Sequence, residues 1–228
     1  MSDGGERGWW REERVDLEDE LTTEEVRVLG CLMEKEAATP EYYPLTLNAL
    51  VTACNQTSNR EPVVSYDGDV VTEALDRLRD LKLIRVVHPS SGRAVKYRHV
   101  LDEALGLGSE QRAVLTVLML RGPQTLVELR TRTERLHPFE STDDVDAVLD
   151  GLAHREPPLV VRLERQPGQR EARSAHLLSG APAMPEQSTA AYAAPAARSA
   201  TSERIDALEE RVTELEAALD DLRRQLGV

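Results

Sequence analysis

Two stretches of the chain carry the same succession of apolar and polar patterns. In the first, Val26, Leu29, Leu32 and Met33 recur at helical spacing. They follow Thr22-Thr23-Glu24-Glu25, a capping-box pattern in which Thr22 and Glu25 satisfy the first free amides of a helix. "ATPEYYP" breaks that helix, and Pro44 is placed just inside a second one carrying Leu47, Leu50 and Val51. A third, capped by Asp67 or Asp69, sets Val71, Ala74, Leu75, Leu78 and Leu81 along one side. "LIRVVH" and "RAVKYRHV" then predict two strands around the turn Pro89-Ser90-Ser91-Gly92.

The second stretch repeats the order. Residues 110–121 include "AVLTVLML", apolar all round, which predicts a helix buried on every side and ended by Gly122-Pro123. "QTLVELRTRTERL" predicts a second helix. Ser141, with Asp144 three residues on, caps a third, "DDVDAVLDGLAHR". "LVVRLER" and "ARSAHLL" predict strands around Pro167-Gly168-Gln169-Arg170.

The words match as well. "TLNAL" at 46–50 answers "TLVEL" at 125–129, "ALDRL" at 74–78 answers "VLDGL" at 148–152, and Gly92 answers Gly168. Helix, helix, helix, strand, basic turn, strand is the layout of a winged helix-turn-helix. The chain is therefore expected to be mainly α with small β-hairpins: two tandem winged helix-turn-helix domains plus a C-terminal coiled-coil helix. The expected boundaries are an acidic tail at 1–20, domain 1 at 21–100, a linker at 101–108, domain 2 at 109–180, an Ala/Pro/Ser linker at 181–202 and a coil at 203–228.

Several of these segments are specific enough to carry a resemblance. "LTTEEVRVLGCLMEKE", "TPEYYPLTLNALVTACNQTSNREPV", "LRGPQTLVELRTRTERLHPF", "REPPLVVRL" and "PGQREARSAHLLSG" resemble the bacterial YceH family across residues 21–180. The resemblance implies a cytosolic protein with two winged-helix domains. It brings with it no reaction, ligand, partner or functional residue.

At the C-terminus Ile205, Leu208, Val212, Leu215, Leu219, Leu222 and Leu226 alternate in steps of three and four, an unbroken heptad seam. Isoleucine and valine at a with leucine at d favour two parallel strands, and Arg204 and Arg211 would then face Glu209 and Glu216 of the second chain. The seam predicts a homodimer; the other reading is a lone amphipathic helix folded back on the body.

Composition changes this picture only in part. The 228 residues carry a net charge of −13, which looks hostile to nucleic acid. Residues 1–20 hold 3 basic and 8 acidic side chains, and residues 181–228 hold 5 and 9, whereas 21–100 and 109–180 each hold 10 and 11. The acidity lies mostly in the ends, so a local basic face remains open. Trp9 and Trp10 in the acidic tail fit either docking on the body or a partner, or simple exposure. No apolar run is long enough to span a membrane, and Cys31 and Cys54 lack CxxC spacing and read as buried thiols. These features predict a cytoplasmic protein without a membrane partner.

Candidate chemistry is sparse. His88, His99, His137, His154 and His176 lie on different elements without ligand spacing and are expected at surfaces or strand edges. "GLG" at 106–108 lacks the lysine and preceding strand of a phosphate loop. No enzyme, metal or cofactor is expected. From Leu81 to Leu101 there is no acid, while Lys82, Arg85, Arg93, Lys96 and Arg98 make a cationic wing. In the second wing Arg162, Arg165, Arg170 and Arg173 are offset by Glu164 and Glu171. Arg85, Arg93, Lys96, Arg98, Arg165, Arg170 and Arg173 are the candidate contacts to duplex DNA.

The third helices argue the other way. One carries Asp69, Glu73, Asp76 and Asp80, the other Asp143, Asp144, Asp146 and Asp150, which is no base-reading pattern. A basic protein partner docked on these acidic faces is the alternative to nucleic acid. Between the second and third helices of the first stretch lies "NQTSNR". It reads either as a loop satisfying its own backbone, or as a contact surface made of Asn55, Gln56, Asn59 and Arg60.

Overall fold

Thr22 opens the first helix as its neighbours dictate. Its hydroxyl accepts from Glu25 N–H, the Glu25 carboxylate accepts from Thr22 N–H, and α1 runs Thr23–Ala38. This computed structural model describes residues 20–88, 94–165 and 169–181. After α1 come a 3-10 turn at Pro40–Tyr42, β1 (Leu45–Thr46), α2 (Leu47–Cys54) and α3 (Gly68–Asp80). A hairpin of β2 (Ile84–Val87) and β3 (Lys96–His99) follows. The second half runs through α4 (Leu101–Leu105), α5 (Ser109–Arg121), α6 (Leu126–Thr133) and α7 (Thr142–Ala153), then β4 (Val160–Leu163) and β5 (Arg173–His176). The described residues are helix-rich with two small antiparallel sheets. No helix among the described residues is long and apolar enough to cross a membrane.

Two expectations change. Pro44 does not begin the second helix: Thr46 caps it, its hydroxyl accepting from Ala49 N–H. The residues between pair instead, Leu45 with Tyr97 and Thr46 with Lys96, adding a third strand outside β3. The segment 101–108 is not a plain linker. It holds α4, closed by Gly106 at φ 61°, and buries Leu101 and Leu107. Asp67, and not Asp69, caps α3, accepting from the amides of Asp69 and Val70.

The two halves close in the same way. Thr125 caps α6 as Thr46 caps α2, so the matched words "TLNAL" and "TLVEL" have one job, to start an eight-residue helix. Leu83 N–H donates to Leu78 O and Val100 N–H to Leu83 O; Leu159 N–H donates to Leu152 O and Leu177 N–H to Leu159 O. Gln124 pairs with Ser174 beside β5, where the first half has β1 beside β3.

All described residues fall in one compact unit. Its core is continuous from Leu21 to Leu178, and α1 lies along α5 at its centre. Every residue from Ala113 to Leu120 is buried, as the unbroken apolar run requires. Gly30 makes the close approach: a Cβ there would stand 3.0 Å from Leu120 Cδ2 and 3.3 Å from Met119 Cβ. The tail with Trp9 and Trp10, the tips of both hairpins, the Ala/Pro/Ser linker and the heptad seam from Ile205 to Leu226 lie outside the described residues.

Candidate functional site

The first hairpin brings two of the expected cations together. Arg85 on β2 and Arg98 on β3 are direct cross-strand partners. Like charges opposite each other repel, and the sheet supplies no acid to separate them. The acid comes from α4. Glu103 Oε1 accepts from Arg98 at 2.9 Å, and its Oε2 lies 3.6 Å from Arg85. Arg85 stays 62% exposed in spite of this contact. Lys96 is half-buried on the middle strand and has no ion pair among the described residues. Arg93 falls in the undescribed tip. Nothing in the sequence pointed to Glu103, because its partners are set by the fold of the supposed linker.

The second hairpin divides its cations. Arg165 and Arg170 are exposed and have no ion pair among the described residues. Arg173 turns inward: its Nη1 donates to Glu128 Oε2 and to Pro123 O, both at 2.8 Å. Arg162 spans Asp146 and Asp150 of α7 at 2.8 and 2.7 Å. The side of α3 facing solvent shows Asp69, Glu73, Asp76 and Asp80, with Arg79 tied to Asp76 at 3.0 Å.

The polar stretch after α2 folds onto itself. Asn55 accepts Tyr66 N–H and donates to Tyr66 O, at 2.8 and 2.7 Å, which clamps the long connection to α3. Arg60 is buried rather than presented. It donates to Ala53 O, Asn59 O, Gln56 Oε1 and both oxygens of Glu34. Gln56 Oε1 also accepts from Lys35 Nζ, and Asn59 Oδ1 accepts from Arg121. Burial works against the Arg60 charge, yet the Glu34 carboxylate raises its affinity for a proton above the ordinary value. Cys31 and Cys54 lie beneath as buried free thiols, and a hydrogen bond to Cys31, together with burial, pushes the Cys54 thiol up.

One histidine departs from expectation. His99 is 1% exposed, with Nε2 at 2.8 Å from Glu36 Oε2 and Nδ1 at 3.5 Å from Asp102 Oδ1. Arg112 Nη1 bridges the same two carboxylates at 3.1 and 2.9 Å. The network ties α1, β3, α4 and α5 into one joint, and the Tyr43 hydroxyl completes it by accepting His99 N–H at 2.7 Å. His176 on β5 has an Nδ1 closed off from solvent and without a hydrogen-bond partner among the described residues; burial lowers its pKa to about 4, so it stays neutral.

A cleft of about 630 Å³ opens where the ends of α1, α5 and α6 meet the polar stretch. Lys35, Arg121, Arg132 and Arg135 line it with Gln56, Ser58 and Asn59. Burial, with Arg132 and Arg60 nearby, holds the Arg121 guanidinium below its ordinary value.

Fold and site together define a helix-rich protein of two similarly closed halves, with cationic groups on both hairpins and in one cleft. The chain belongs to the family described as "Protein of unknown function, DUF480", which matches residues 21–169. It is 53% identical to a UPF0502 protein of Geobacter sulfurreducens over 86% of this chain and 90% of that one. A UPF0502 protein of Pelobacter propionicus is 52% identical over 90% and 94%. One from Opitutus terrae is 56% identical over 70% of each.

Proposed function

We propose that this chain is a non-enzymatic, cytoplasmic nucleic-acid-binding protein with a regulatory role, built on two winged helices whose basic hairpins lead the contact. The likeness of residues 21–180 to the YceH family supports the winged-helix reading, and so does the shared closure of the two halves. The observation that carries the binding assignment is the Arg85–Arg98 pair, opposed on a hairpin and held by one half-exposed carboxylate. Exposed ion pairs contribute only about 0–1 kcal/mol, so a phosphate takes the place of Glu103 at small cost. Lys96, Arg165 and Arg170 extend the cationic surface. Such contacts supply affinity and register without sequence information. The acidic α3 and α7 stand away from the phosphates in this reading, and the heptad seam pairs two chains.

The exposed acids of α3 favour a second reading, a scaffold that docks a basic protein. Fluorescence anisotropy of a labelled duplex with the full chain separates the two. Arg85→Gln with Arg98→Gln is expected to weaken binding about tenfold, and similarly for unrelated duplexes. Unchanged affinity in that variant, or no duplex binding at low salt, sinks the nucleic-acid reading.

A further inference from the structure

The cleft between the two halves carries more cationic and donor capacity than the fold uses. Arg121 and Arg135 have no carboxylate partner among the described residues. Two acids also line the cleft, but Glu34 is committed to Arg60, which leaves only Glu134 against them. The ends of three helices contribute partial negative charge there, and last-turn cations ordinarily offset it. That accounts for Lys35 and Arg132, which lie in or near last turns and already hold Gln56 and Glu128. It does not account for Arg135, which lies beyond the end of α6; Arg121 does close the last turn of α5, but its Nη2 is spent on a neutral amide and not on a carboxylate.

The amides point the same way. Gln56 Oε1 accepts from Lys35 and Arg60, and Asn59 Oδ1 accepts from Arg121. Gln56 Oε1 thus has both lone pairs taken and Asn59 Oδ1 one of its two, so the NH₂ groups are the larger part of what these amides have left to offer. Ser58 adds a hydroxyl. A wall of guanidiniums, amide donors and a hydroxyl suits oxyanions and repels cations. The volume, about 630 Å³, is that of a small-ligand pocket and far too small for a duplex.

We propose that this cleft is a binding site for a small phosphorylated ligand, with Arg121 and Arg135 as its charge anchors and the Gln56 and Asn59 amides as its neutral donors. The site does not rest on the nucleic-acid reading. It joins residues of α1 and the polar stretch to residues of α5 and α6, so an occupant would bear on the packing of one half against the other.

Calorimetric titration of inorganic pyrophosphate into the full chain at low ionic strength tests this. The expected result is one site per chain, weakened at least about tenfold by either Arg121→Gln or Arg135→Gln. Arg85→Gln with Arg98→Gln should leave it unchanged. Arg135 makes no described bond, so its variant guards against loss of fold in the other. No binding at millimolar pyrophosphate overturns the proposal, and so does binding that neither cleft variant affects. A third result overturns it too: duplex binding lost in the cleft variants while pyrophosphate fails to compete, which would assign these arginines to the nucleic acid.

Discussion

Arg60 grips Glu34 with two parallel hydrogen bonds, at 3.0 and 2.6 Å, and no part of the Arg60 side chain reaches solvent. Forked geometry of this kind holds both position and charge. It anchors the polar stretch to α1, and Asn59 in turn reaches Arg121 at the end of α5. Arg60 is thus a brace within the first half, and its neighbour Asn59 carries the contact across to the second.

Removing the partner should be costly. Glu34→Ala leaves a buried guanidinium unpaired and is expected to lower stability by about 3 kcal/mol in urea denaturation. A loss within experimental error would show that the brace is ornamental. The pH dependence has a definite sign. Burial pushes the Glu34 carboxyl up, but Arg60 outweighs it and holds the pKa below the usual value of 4.5. A lowered folded pKa means stabilisation fully present above about pH 4.5 and lost as pH falls through the folded value. Glu34→Gln should flatten that acid limb, leaving the share from Glu128, also held low by the Thr125 amide and Arg173 against its burial.

Gly30 tests the contact between α1 and α5. Because a Cβ already approaches Leu120 at 3.0 Å, Gly30→Leu has nowhere to place its side chain. Overpacking of this kind costs about 1–3 kcal/mol, so a fall in Tm of several degrees is expected. A variant as stable as the parent would mean that the two helices are not in register as described.

Glu103 is the internal competitor of the proposed duplex for Arg85 and Arg98. Glu103→Gln frees Arg85 and Arg98 and is expected to tighten duplex binding by up to about fivefold, the equivalent of one exposed ion pair. Weaker binding would show that Glu103 orders the arginines for contact instead of occupying them.

Local chemistry was the legible part of this fold. Thr22 with Glu25, and Ser141 with Asp144, bond to backbone within one turn, so sequence spacing alone reveals them. The run from Ala113 to Leu120 announced a buried helix by lacking any polar face. What escaped were the side-chain contacts made at long range. Arg60 meets Glu34, 26 residues back, and His99 meets Glu36, 63 residues back; no periodicity encodes either. Pro44 was misplaced because a two-residue edge strand is too short to show alternation. The wing cations were legible as a charge run, but not Glu103, which only the folding of α4 brings beneath them.

The heptad seam makes a separate prediction. Sedimentation of the full chain at micromolar concentration should give a dimer, and removal of residues 201–228 a monomer. A full-length monomer would leave the terminal helix to fold back on its own body.

The central claim is that exposed hairpin arginines meet phosphates. It is tested most directly by the salt dependence of duplex binding. For the full chain, log K against log salt should fall linearly, and Arg85→Gln with Arg98→Gln should flatten the slope by about two, one per lost phosphate contact. A slope identical in parent and variant would contradict the claim, since cations that release no counterions touch no phosphates.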